Sequence, residues 1–391
     1  MGSGMTIVVN HRQMAEVLGI AFGTKTSYFI SGPTGIGKSV SIKELAKKKA
    51  EERKRKFVEW NKLTRDEKFN VMRNTKQYFA FIDQRALQFD LGSFQMPDLF
   101  KNVDVEGLNG TFEWRIPLVY AYLCMPDTEG FLFFDEFNQA PTTIQGMFYQ
   151  IINDRQIGEH KIADGVFIIG AGNRMEDKAN VFDMATPLKD RLEHLELGVP
   201  SVEEWTEDFA IPHGIDMRIV GFLQFKQSFL NMVEPDSSDM AFPTPRGNER
   251  LSNMIKNIET KPENLRLLEI IVGSNVGETY AAQFVKWLTL MTKIKLSDFL
   301  DNPKRMKDIK TIFKLKDDDA ELEYKYAICI ELPEVFKKDK KMFTKIMNLI
   351  EYVEPELACI TLRYIKDIDP QFFVTNAVKF EYIHNYGKYL L

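Results

Sequence analysis

The residues best suited to chemistry form one unbroken run, Gly32-Pro33-Thr34-Gly35-Ile36-Gly37-Lys38-Ser39. It satisfies G-x-x-x-x-G-K-[ST] in full, a pattern whose residue types suit the binding of a polyphosphate. Glycines at Gly32, Gly35 and Gly37 let backbone N–H groups turn inward around phosphate oxygens. A helix starting just after them adds its own unpaired N–H groups and partial positive charge. Lys38 has the reach and charge to meet the β- and γ-phosphates of a nucleoside triphosphate, and Ser39 carries a hydroxyl suited to ligating Mg²⁺. The plain alternative is a glycine turn between a strand and a helix, with a solvated lysine.

Two further groups supply what hydrolysis needs beyond binding. Asp135 and Glu136 close the apolar run Gly130-Phe131-Leu132-Phe133-Phe134. Carboxylates at the carboxyl end of a buried strand stand where open parallel sheets bind ligands. Asp135 is the expected holder of Mg²⁺, and Glu136 the expected orienter of the water that attacks the γ-phosphate. Asn173 closes a second such run, Gly165 to Ala171. Its amide both donates and accepts without charge, so it suits a water or a phosphate oxygen, although an Asn after a strand is more often a turn residue.

The elements that must position these groups are legible around them. Tyr28-Phe29-Ile30 precedes the glycine run, and Val40 to Ala46 after it has helix-forming composition. Tyr78 to Ile82 reads as a second buried strand ended by Asp83-Gln84-Arg85, and a helix over Thr142–Asn153 separates the acid pair from the strand at Gly165. Buried strands alternating with helices predict an α/β fold with a parallel sheet. Ahead of all this, Met14 to Leu18 has helical spacing. The run Lys47 to Lys56 reads as a solvated helical face, since no aromatic residues are interleaved with it to stack on bases. From Leu87 to Trp114 the chain is rich in Gly, Asp, Asn and Pro, the mark of a long functional or poorly ordered loop. From Ser201 the β pattern stops: Glu203 to Phe209, Met217 to Met232, Arg246 to Ile258, Pro262 to Val272 and Tyr280 to Thr292 read as helices. Beyond Lys295 helical periodicity continues without a motif, and the Phe- and Tyr-rich stretch from Phe372 to Tyr389 reads as core.

Composition bounds the possibilities. A chain of 391 residues, 44% hydrophobic and 27% charged, is globular and long enough for two or three domains. A net charge of −5 argues against a coat for nucleic acid, without excluding a local basic patch. Cys124, Cys329 and Cys359 lie far apart in the chain, and the five histidines are scattered, which gives no zinc spacing and suggests a reducing, cytoplasmic setting. No apolar run approaches the roughly 20 residues that span a bilayer. Met1-Gly2-Ser3-Gly4 ahead of Met5 reads as an expression leftover in residues 1–4.

Taken together, Gly32 to Ser39, Asp135-Glu136-Phe137-Asn138-Gln139-Ala140-Pro141, Ala171-Gly172-Asn173, Asp190-Arg191-Leu192 and Phe242-Pro243-Thr244-Pro245-Arg246 resemble, in order and spacing, the AAA+ ATPases of the MoxR group, within the dynein-related subfamily. The resemblance covers roughly Ile7 to Ile255. It implies a P-loop nucleotide-binding domain over 5–200, an all-α lid over 201–295 hinged near Val199-Pro200, and leaves 296–391 as a helical extension. It implies ATP and Mg²⁺ as cofactors, Asn173 as sensor 1, Arg191 as an arginine finger for a neighbouring subunit, and Arg246 as sensor 2 on the lid. It also implies a homo-oligomer, a hexameric ring, that remodels a protein client in the manner of a chaperone, with a von Willebrand factor A domain protein as partner and no membrane association. The segment from Leu87 to Trp114 lies where the family carries an insertion that contacts substrate.

Three positions depart from the pattern: Gln139 where the family commonly has Arg, Leu192 where it has Phe, and Gly247-Asn248-Glu249 where a Trp often follows the sensor 2 arginine. They leave Lys189 and Arg174 as alternative fingers. Two other functions stay open on sequence: a nucleic-acid motor or loader, or a McrB-like defence component using GTP; and a scaffold that binds nucleotide without turnover. The joint presence of Lys38, Asp135 and Glu136 argues against the scaffold, which requires no water-activating carboxylate.

Overall fold

A computed structural model describes residues 7–89, 93, 96–99, 112–177, 181–233, 239–316, 318–377 and 380. The chain divides at Val199 and Pro200 into two compact units.

The first unit runs β1 (Val8–Val9), α1 (His11–Ala21), β2 (Ser27–Ser31), α2 (Lys38–Glu52), β3 (Lys56–Glu59), α3 (Arg65–Arg73) and β4 (Tyr78–Arg85). An antiparallel ribbon follows, β5 (Met96–Leu99) with β6 (Phe112–Arg115). Then come α4 (Leu118–Leu123), β7 (Glu129–Asp135), α5 (Thr142–Asn153), a small hairpin of β8 (Gln156–Ile157) and β9 (His160–Lys161), β10 (Gly165–Ala171), α6 (Thr186–Lys189) and β11 (Leu192–Leu197). Seven strands form one sheet in the order β1-β11-β2-β10-β7-β4-β3, and every pair is parallel.

The sheet is parallel because its central strands are apolar on both faces and helices cover both. Phe131 and Phe133 of β7 join Phe79, Phe81, Phe167 and Ile169 against Leu18 of α1 and Ile42 of α2. Leu132 and Phe134 turn the other way, with Ile82 and Ile168, against Phe148 and Ile151 of α5. Alternate residues of one strand thus feed two cores. All four side chains from Phe131 to Phe134 are fully buried, each contributing about 2 kcal/mol. Strand order reverses direction at β2: the chain steps β4, β7, β10 toward it and then crosses to β11 on its far side. The crevice at such a reversal is where open α/β sheets bind ligands.

Three details differ from the sequence reading. The charged run is not helical throughout, because α2 stops at Glu52, the chain turns at Lys54 with φ +56°, and Lys56 opens β3. β4 continues through Asp83-Gln84 to Arg85 because its ladder with β7 extends to the pair Arg85–Asp135. Leu192–Leu197 is a strand that its Leu-Glu-His-Leu-Glu-Leu pattern did not announce. Of the segment from Leu87 to Trp114, the ribbon belongs to the described residues, whereas 90–92, 94–95 and 100–111 lie outside them.

The second unit is helical. It begins with α7 (Val202–Trp205), held by a capping box of Ser201 and Glu204 and continued by a π turn over Thr206–Ala210. Next come α8 (Met217–Phe225), α9 (Pro245–Ile255), α10 (Leu265–Val276) and α11 (Glu278–Met291). Beyond these lie α12 (Leu296–Asp301), α13 (Ile309–Ile312), α14 (Asp318–Cys329), α15 (Leu332–Lys338), α16 (Phe343–Ile350), α17 (Pro355–Ile368) and α18 (Pro370–Ala377). Ala327, Ile330 and Tyr364 of the later helices enter the core of the earlier ones. The Tyr364 hydroxyl donates to the Ile215 carbonyl at 3.1 Å, and Arg363 pairs with Glu207 at 2.9 Å. Residues 378–379 and 381–391, within and beyond the Phe- and Tyr-rich stretch, lie outside the described residues, as do residues 1–6. Cys124, Cys329 and Cys359 are free thiols. Among the described residues no helix is long and apolar enough to cross a membrane.

Candidate functional site

Three strand tips meet at the carboxyl edge of the sheet. After β2 the chain turns through Gly35 at φ +79° and Gly37 at φ +98°, and Gly37 is the left-handed residue from which α2 starts. A side chain at these positions would be strained, so the turn requires glycine. The N–H groups of the first turn of α2, which a helix leaves without intrahelical partners, follow directly on this turn. Lys38 is buried, and its ammonium donates to the carbonyls of Gly32 at 2.6 Å and Pro33 at 2.8 Å, and to Asn173 Oδ1 at 3.3 Å. Thr34 Oγ1 donates to the same Asn173 oxygen at 3.3 Å. The β2 and β10 tips are therefore joined through one amide.

The β7 tip joins them through Asp135. Ser39 Oγ donates to Asp135 Oδ2 at 2.8 Å, and the N–H of Glu136 donates to Asp135 Oδ1 at 2.9 Å. Both carboxylate oxygens are thus held. Glu136 has φ +56°, a left-handed conformation that a side chain of this size adopts only at some cost. It sits at the turn between the end of β7 and the short helix Phe137–Gln139. The hydroxyl and carboxylate in direct contact are the donor set of a hard divalent cation, and they fit Mg²⁺.

Two residues nearby escaped the sequence reading. Asn138 donates through Nδ2 to the Asn173 carbonyl at 2.7 Å and accepts at Oδ1 from the Asn173 N–H at 3.2 Å. Its place three residues after Asp135 was visible, but only the fold brings it to the β10 tip. Asp83, on β4 beside β7, rims a cavity of about 460 Å³ with Glu59, Asn61, Phe89 and Tyr120. Burial first, and then the Asp135 carboxylate, push its pKa up from the ordinary value.

Arg191 lies apart from this group. Arg191 precedes β11 and so stands at the amino edge of the sheet, opposite the glycine loop, with Leu192 in register with Ser27 and Glu196 with Ser31. Its Nε donates to Asn153 Oδ1 at 2.6 Å and its guanidinium pairs with Asp190. Lys189, at the end of α6, pairs with Asp183 at 2.7 Å. Arg174, beside Asn173, is tied to Asp177 at 2.6 Å and Glu196 at 3.1 Å, and the Asp177 hydrogen bond above all holds its pKa above the usual value. Arg246 belongs to the second unit, exposed on the first turn of α9. That turn is capped by Thr244 Oγ1, which accepts from the Gly247 N–H at 2.9 Å. Where the resemblance leads one to expect Trp, Asn248 is fully buried, donating to the Thr244 carbonyl at 3.0 Å and accepting from the Tyr280 hydroxyl at 2.8 Å.

Glycine cradle after β2, acid pair after β7 and amide after β10, in a parallel sheet ordered β11-β2-β10-β7-β4 at its centre, define an α/β phosphate-loop fold. No protein-family model matches the chain, and no curated protein matches it in sequence. Among solved structures it is similar to a point mutant of Thermotoga maritima RuvB, at 16% identity over 78% of this chain and 76% of that one, with a TM-score of 0.33. It is also similar to NtrX from Brucella abortus, at 15% identity over 83% and 69% with a TM-score of 0.32. A third is Drosophila ORC in its structure bound to DNA, at 10% identity over 86% and 77% with a TM-score of 0.27. These likenesses are distant, and the class assignment rests on the strand order and the residues at the strand tips.

Proposed function

We propose that this chain hydrolyses ATP with Mg²⁺ as a subunit of a ring-forming, MoxR-like AAA+ machine, using the energy to remodel a protein partner. The observation that carries hydrolysis is the convergence of Ser39, Asp135, Lys38 and Asn173 within hydrogen-bond distance, with Glu136 beside them. Lys38 is already desolvated and held by two carbonyls, so phosphate oxygens take the place of weaker acceptors when nucleotide binds. Ser39 and Asp135 would hold Mg²⁺, which neutralises charge on the β- and γ-phosphates. Glu136 orients the attacking water and accepts its proton as the bond to the γ-phosphorus forms and the bond from that phosphorus to the β,γ-bridging oxygen breaks, releasing ADP and phosphate. Asn173 donates its amide N–H to the γ-phosphate or the water.

Arg191 supports assembly as a condition for turnover. The six residues of β11 put roughly 17 to 20 Å of strand between it and the glycine loop of its own chain. An arginine so placed serves a second copy of the chain, stabilising the transferring phosphoryl group only when subunits meet. Arg246, on an exposed helix turn, is the corresponding group on the lid. The exposed Met96 and Trp114 on the β5–β6 ribbon suit contact with a protein client, of which a von Willebrand factor A domain protein is one form.

Phosphate release measured with ATP and with GTP, on the unaltered protein and on Lys38→Ala, tests the reading. Release from ATP that depends on Mg²⁺ and Lys38 supports it, and no release overturns it. Stimulation several-fold by DNA, or preference for GTP, would favour the nucleic-acid or McrB-like alternative. Glu136→Gln, loaded with ATP and stalled, is the form with which a client can be captured.

A further inference from the structure

We propose that Asn138 is a positioning residue that couples the γ-phosphate side of the site to the segment leading to Arg191. The inference rests on the reading of the site as a triphosphate site. Asn138 is 7% exposed and makes three bonds to two separate parts of the chain. Its side chain bridges both backbone groups of Asn173, at 2.7 and 3.2 Å. Its carbonyl accepts from the Phe182 N–H at 2.7 Å. Phe182 adjoins Asp183, whose carboxylate pairs with Lys189 at the end of α6, two residues before Arg191.

The arrangement demands an amide. One arm must donate to the Asn173 carbonyl while the other accepts from the Asn173 N–H, and among side chains of this length only Asn does both. Space is as restricted as chemistry: a Cβ on Gly172 would lie 2.0 Å from Asn138 Oδ1. Glu136 is two residues away on the same short turn, so the water-orienting carboxylate, Asn173 and the approach to α6 all hang on one buried side chain. When Asn173 Oδ1 gives up Lys38 and Thr34 and the amide N–H turns to donate to a phosphate oxygen, the strain falls on a backbone that Asn138 holds at both its N–H and its C=O. The displacement is carried to Phe182 and α6.

Three variants test this: Asn138→Asp, which keeps the shape and removes the donor; Gly172→Ala, which displaces the amide; and Phe182→Pro, which removes the N–H that reaches the Asn138 carbonyl. The affinities for ADP and ATPγS, and kcat and KM for ATP, are measured on the assembled protein. For Asn138→Asp and Gly172→Ala, ADP affinity should stay within 3-fold of the unaltered value, the preference for ATPγS over ADP should fall at least 5-fold, and kcat should fall 10-fold or more at little-changed KM. Phe182→Pro should lower kcat while leaving that preference intact. Asn138→Asp added to Asn173→Ala should lower the preference no further than Asn173→Ala alone. An unchanged preference in Asn138→Asp, additive losses in the double variant, or equal loss of both nucleotides in all three variants overturns the coupling. No nucleotide bound by the unaltered protein overturns the triphosphate reading itself.

Discussion

The Ser39 hydroxyl, in the first turn of α2, donates to Asp135 Oδ2 at 2.8 Å although β2, which leads into that helix, and β7 are not neighbours, since β10 lies between them. The two strands are about 10 Å apart at that spacing, so the contact closes over the β10 tip, where Asn173 sits. Ser39→Ala removes one hydrogen bond, worth about 1 kcal/mol, and should barely move the melting temperature. It should nevertheless weaken ATP binding about tenfold in the presence of Mg²⁺ and leave binding in EDTA unchanged. Titration of a fluorescent ATP analogue in both buffers reads the difference, and equal weakening in the two would remove Ser39 from the metal.

Glu136 combines an unfavourable backbone with the central role in the proposed chemistry. Glycine adopts φ +56° without that cost, so Glu136→Gly should leave stability unchanged or raise it by up to about 1 kcal/mol. The same change should lower kcat by about 10² to 10⁴ at unchanged ATP affinity, the range for loss of a general base. Thermal melts and phosphate release on one preparation give both numbers. A large loss of stability would mean that the carboxylate is structural.

Arg191 and the glycine loop of one chain lie at opposite edges of the sheet. Arg191→Ala and Lys38→Ala should each abolish turnover, the former with nucleotide affinity retained. Mixed together, they should regain activity, because the arginine of the Lys38→Ala copy can complete the site of the Arg191→Ala copy. A mixture no more active than its components would transfer the role to Lys189 or Arg174, and the same complementation test applies to each.

Much of this was legible because an apolar run of four or more residues bounded by turn residues, when it is a strand, must lie in a sheet covered on both sides. Gly130–Phe134 and Gly165–Ala171 announced their strands and hence the tips where Asp135 and Asn173 stand. The helix over Thr142–Asn153 begins and ends where its spacing placed it. β11 was not legible, because its buried residues do not alternate: Leu192 enters one core and Leu195 and Leu197 the other, with Glu193, His194 and Glu196 among them. β3 was hidden by the lysines and arginines running into it, which read as helix until the left-handed turn at Lys54 is seen. Asn138 was in plain view as part of a motif, but a hydrogen bond between residues 35 apart in sequence depends on which strands the sheet makes neighbours.

A pH dependence follows from Glu331, between α14 and α15. Burial pushes its pKa up to about 7 from 4.5, against the opposing pull of Lys338 and Arg218. The folded state therefore holds the proton more tightly than the unfolded one. The stabilisation is complete below about pH 4.5, declines as the unfolded chain ionises first, and is gone above about pH 7. The amount is on the order of 3 kcal/mol. Glu331→Gln stays uncharged at every pH, so its advantage in melting temperature should be small at pH 4.5 and grow by roughly 4 to 10 °C by pH 8. Melting curves that stay parallel across that range would show that the carboxyl is solvated when ionised, and that the helices around it open to water without unfolding.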